Sequence, residues 1–133
     1  MKPDDAPRSS PTYRVVDPNH DPDLPLVKLL NLIISEGILS GASQIQVASG
    51  PEQCRVRFQK GRSWLDVMTI PALVARPLVN RIRAMAGLDR LGGPTTTGGQ
   101  LRVAGSGTEV SVKATVRDQG EGLEEVLLEL SDR

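Results

Sequence analysis

"SQIQVASGPEQCRVRFQKGRSWLDVMTI", residues 43–70, decides the fold. It holds three runs, and in the first two apolar and polar residues alternate with period two, the pattern of strands that have one covered face and one wet face. In the first run Ile45 and Val47 share a side and Gln44 and Gln46 take the other. In the second, Cys54, Val56 and Phe58 point inward while Arg55, Arg57 and Gln59 point outward. "SGPE" supplies turn residues between these runs, and Lys60-Gly61 makes a tight turn into the third, "SWLDVMTI". Consecutive short strands joined by turns predict an antiparallel meander.

Upstream, Leu26, Leu29, Leu30, Ile33 and Ile34 follow three-four spacing, with Val27, Leu32 and Ile38 widening the apolar stripe of a buried helix. Asp23 is placed to cap this helix, Pro25 falls in its first turn, and Gly41 ends it. Residues 1–23 are rich in Pro, Asp and Ser without apolar periodicity, so a flexible arm is expected there and a single domain over residues 24–133. Downstream, Leu78, Ile82 and Met85 mark one side of a second helix, closed by Gly87, with Pro77 suited to its start. "LGGPTTTGG" reads as a loop, and "QLRVAG", "TEVSVKATV" and "EEVLLELSD" read as three more strands, with turns at residues 105–107 and 119–122. The order helix, three strands, helix, three strands predicts an α+β fold, an antiparallel sheet of about six strands packed by two helices.

The chain of 133 residues has a formal net charge of zero, so no strong overall field draws it to nucleic acid or membrane. Within that zero, residues 55–102 carry nine basic side chains against two acidic ones, and residues 103–133 three against seven. Such an imbalance is commonly neutralised within a fold. Cys54 is the sole cysteine, which excludes an internal disulfide and fits a reducing, cytoplasmic setting. No stretch has the length and polarity of a signal peptide or a membrane span.

Reactive chemistry is sparse. There is no Gly-Lys-Ser or Gly-Lys-Thr to close a phosphate-binding loop, and "GSG" at residues 105–107 fits a hairpin turn. His20 and Cys54 are isolated, so no metal site and no histidine-dependent nucleophile is expected. Glu121, Glu124 and Glu125 read as a solvated turn and strand start. Phe58 faces away from Arg55 and Arg57 and Trp64 stands alone, which leaves no stacking platform for single-stranded nucleic acid. No catalytic residue and no cofactor is expected.

Four segments resemble the motor ATPases of type II secretion and type IV pilus assembly, the GspE/PilB family. "PLVKLLNLIISEGILSGASQIQV" looks like that family's helix followed by A-S-D-I-H-I. "RVRFQKGRSWLDV" is similar to its R-x-R-x-D-G hairpin, "RIRAMAGLD" to its R-I-K-x-M-A-G-L-D helix end, and "LEEVLLELSDR" to G-E-x-V-V-L-R-L-L-D. The resemblance implies the bacterial, cytoplasmic, PAS-like N-terminal domain that precedes the ATPase domain, without the ATPase domain itself. Gln44 and Gln46 stand where the family has Asp and His, so neutral amides replace two ionisable groups. "LGGPTTTGGQLRV" falls where the family carries R-R-x-P-Q-D-G-R, whose arginines help to contact nucleotide. Gln100 replaces the last of these. A missing arginine finger can be worth roughly 10³ to 10⁵ in rate, so supply of one in trans is not expected.

The expected function is therefore a non-catalytic interaction or regulatory module that binds a protein partner, such as a full-length motor ATPase, through Gln44, Gln46, Arg55 and Arg57. Such a row is more often just the ordinary wet face of a sheet. A small-ligand-sensing domain and an excised part of a longer ATPase are the alternatives, although Met1 and the tail-like start lead us to expect a complete small protein.

Overall fold

A computed structural model describes residues 13–16, 25–87, 96–105, 107–118 and 124–130. The elements are β1 (Arg14–Val15), α1 (Pro25–Leu39), β2 (Gln44–Ser49), β3 (Gln53–Lys60), β4 (Ser63–Pro71), α2 (Ala72–Met85), β5 (Thr96–Gly105), β6 (Thr108–Asp118) and β7 (Glu124–Leu130). All seven strands join one antiparallel sheet in the order β1-β5-β6-β7-β2-β3-β4. The fold is α+β, with the expected six strands and β1 added at one edge. Tyr13 to Val16 fall within the segment expected to be a flexible arm, and they are instead the seat of β1. The rest of that segment, Asp23 included, lies outside the described residues.

Alternation places the core. Ile45, Val47, Cys54, Val56, Phe58, Ile70, Leu101, Val103, Val112, Ala114, Val116, Val126 and Leu128 are buried on one face of the sheet, in one cluster with Leu30, Ile33, Ile34, Leu78, Val79 and Ile82 from the helices. Aliphatic burial of this kind contributes roughly 25 cal/mol per Å² removed from water. Gly37 shows how closely α1 approaches the sheet: a Cβ there would stand 2.7 Å from Ile45 Cδ1. The glycine, costly in an isolated helix, is what lets the backbone come down onto β2.

Three details differ from the sequence reading. Leu32 points away from the core, and Asn31 and Ser35 are buried in its stead. Pro77 lies inside α2, five residues beyond its first residue, Ala72. Its missing N–H frees the carbonyl of Leu73, a residue 86% exposed, so that carbonyl sits on the solvent side where water can serve it. Burial of Leu78, Val79 and Ile82 just beyond holds the helix together. Thr96 to Gly99, read as loop, extend β5 because they find ladder partners in Arg117 to Ala114 of the long strand β6. Leu91 to Thr95 and the turn at 119–122 lie outside the described residues.

Candidate functional site

The second face of the sheet carries no helix among the described residues, and register fixes what it displays. Across the strands one row runs Gln100, Lys113, Glu129, Gln44, Gln59, Trp64. The next runs Gly98, Thr115, Leu127, Gln46, Arg57, Asp66, and a third Arg117, Glu125, Ala48, Arg55, Thr69. Gln44, Gln46, Arg55 and Arg57 are therefore brought together on one surface, with Gln46 directly opposite Arg57.

Their partners differ. Arg57 donates from Nε to Asp66 Oδ1 at 3.0 Å across the β3–β4 hairpin, beside a register shift between Val56 and Arg57. Gln46 donates from Nε2 to Glu125 Oε2. Glu125 Oε1 meets Arg117 Nη1 at 3.2 Å, so one carboxylate ties β7 to both its neighbours. Arg55 is exposed and has no ion-pair partner among the described residues. Exposed pairs of this kind are worth about 0 to 1 kcal/mol each, so the face is held by its ladder and the charges are available for other work.

Beside this row lies a depression of about 440 Å³ lined by Ser43, Gln44, Gln100, Ser111, Lys113, Glu129 and Leu130. At the far edge β4 exposes Trp64, Leu65 and Val67. Cys54, one residue before Arg55, is turned into the core, where burial raises its thiol pKa and a hydrogen bond with Ser49 opposes that rise. Among the described residues no group of three His, Cys, Asp or Glu stands close enough to hold a metal ion. The face gathers amides, guanidinium groups, carboxylates and hydroxyls, which suit hydrogen bonding and charge pairing with another surface.

The role of the acidic segment escaped sequence reasoning. Glu124, expected at a solvated strand start, does begin β7 but pairs with Arg83 of α2 at 2.5 Å with both side chains mostly buried, and Glu125 is the hub just described. Outward parity of Glu125 was readable from alternation. Its adjacency to Gln46 was not, because nothing local specifies that β7 inserts beside β2.

No protein-family profile matches the chain. Individual proteins do. It is 30% identical over 111 residues to the type II secretion system protein E of Pseudomonas aeruginosa, covering 84% of the chain and 22% of that protein. It is 31% identical over 112 residues to the type IV pilus assembly ATPase PilB of Myxococcus xanthus, covering 84% and 20%. The type II secretion system ATPase E of Vibrio cholerae is 27% identical over 111 residues. The chain is similar to these secretion and pilus ATPases over that shared segment. It spans about a fifth of the length of the relatives it matches. No helix among the described residues is long and apolar enough to cross a membrane.

Proposed function

We propose that the chain is a non-catalytic interaction module of a type II secretion or type IV pilus system, working in the cytoplasm and binding a protein partner through the open sheet face. The observation that carries this reading is the gathering of Gln44, Gln46, Arg55 and Arg57 on one uncovered surface, with Arg55 unpaired among the described residues. Kinship with about a fifth of the motor ATPases supports a partner within such a system, the motor itself being the first candidate. Protein interfaces combine an apolar centre with a polar rim, and the exposed Trp64, opposite Gln59 on the same face as the arginine row, supplies an apolar element beside those polar groups.

Charge reversal tests the reading. Arg55→Glu together with Arg57→Glu is expected to lower capture of the cognate motor ATPase at least tenfold in a pull-down, and unchanged capture would remove this face from the reading. The purified chain is expected to show no ATP turnover of its own. The depression lined by Gln44, Lys113 and Glu129 favours a second reading, a small polar ligand. A thermal shift produced by a nucleotide, and lost in Lys113→Ala, would put that reading first.

A further inference from the structure

Asn31 and Ser35 are 3% and 2% exposed on a helix whose other buried side chains are apolar apart from Gly37. Buried polar groups require partners, and these two find theirs in a strand. Asn31 Oδ1 accepts from the Val15 N–H at 2.8 Å, and Ser35 Oγ accepts from the Tyr13 N–H at 2.8 Å while donating to the Tyr13 carbonyl at 3.0 Å. The opposite edge of the same segment pairs with β5, where the Val16 N–H donates to the Arg102 carbonyl at 2.7 Å. Two helix residues four apart rise by about 6 Å, and alternate residues of a strand by about 6.8 Å. One turn of α1 thus takes the place of the next strand. Tyr13 and Val15 meanwhile pack against the core.

We propose that the slot between α1 and the β5 edge is an exchangeable peptide-binding site, independent of the open face, for an extended segment with apolar side chains two residues apart. Residues 13–16 are its resident ligand. Recognition there is mostly of backbone: three hydrogen bonds from two helix side chains, a short ladder on β5, and apolar contacts for alternate side chains. Among the described residues β1 holds two ladder pairs, Arg14 with Ala104 and Val15 with Val103, against ten for β5 with β6. The resident strand is accordingly the weakest attached of the sheet, and its departure would leave Asn31 and Ser35 as unpaired buried groups that a second strand can satisfy. A segment from another polypeptide reproduces the same bonds, so the resident acts as a competitor in cis whose local concentration sets the threshold for exchange.

The test uses the full 133-residue chain and a fluorescein-labelled peptide of residues 10–17. Tyr13→Asp with Val15→Asp expels the resident strand, and this variant is expected to bind the peptide at least tenfold more tightly than the wild type. Adding Asn31→Ala and Ser35→Ala should weaken that binding at least tenfold. A folded double variant that binds the peptide no better than a scrambled one overturns the proposal. Hydrogen exchange on the wild type reads the same opening without any substitution. The Val15 and Val16 amides are expected to exchange at least tenfold faster than those of Val126 and Leu128, and equal protection would show a strand that does not leave.

Discussion

Leu127 and Leu128 are consecutive residues of β7 in opposite surroundings. Leu128 is fully buried under the helices, whereas Leu127 is half-buried on the open face between Thr115 and Gln46. Because strand side chains alternate, β2, β3, β5, β6 and β7 each send alternate residues into a dry aliphatic layer and the ones between onto a wetter, polar face. The lesson is a division of labour: the helix-covered face supplies cohesion, and the other is free to vary without unfolding the chain. The four glutamine and arginine residues all lie on the face that stability does not require.

That contrast can be broken directly. Leu128→Ala is expected to cost about 2 to 5 kcal/mol in denaturant unfolding, the range for emptying a packed leucine site. Leu127→Ala should cost less than half as much. Equal losses would mean that the open face is itself covered in solution, by a partner copy or by another segment, and the two faces would then not differ as described.

A smaller effect is expected where the helix layer meets the rim. Arg83 and Glu124, 12% and 17% exposed, join α2 to the start of β7 at 2.5 Å. Arg83→Ala leaves the Glu124 carboxylate partly buried without this partner and should destabilise by about 1.5 to 3 kcal/mol, as for hydrogen bonds to charged groups. In a double-mutant cycle with Glu124→Ala the two losses should fail to add. Additive losses would show that aliphatic contact alone fastens α2, a sharper form of the contrast between the faces.

How far the sequence displayed this arrangement depends on the range of the interaction. Strands β2, β3 and β6 were legible because alternation is local, β4 through the Lys60-Gly61 turn that leads into it, and so was the side each of Gln44, Gln46, Arg55 and Arg57 takes. The extension of β5 through Thr96 and Gly99 was hidden, since threonine and glycine there are held by a partner strand rather than by their own preference. Pro77 misled for a similar reason: its local cost is real, and tertiary burial of the turns around it overrides that cost. Asn31 and Ser35, polar residues within an apolar helix pattern, are the means by which α1 holds β1, a role with no local signature. Strand order, and with it the meeting of Gln46 and Glu125, has no local signature at all.

Cys54 and Arg55 repeat the contrast on β3, and there it can be read with pH. Burial holds the Cys54 thiol pKa above its ordinary value, so the folded state disfavours the thiolate relative to the unfolded chain, where a thiol titrates near about 8.5. A raised pKa of this sign leaves stability complete below the unfolded value and withdraws it as pH climbs toward the folded one, with a slope of at most about 1.4 kcal/mol per pH unit in that window. Other groups titrate in the same range, so the informative quantity is the stability difference between the wild type and Cys54→Ala. That difference should be flat up to about pH 8 and should shift against the wild type above it. Curves that stay parallel to pH 10 would mean that water already reaches the sulfur, and a wet Cys54 would contradict the dry layer on which the contrast between the two faces rests.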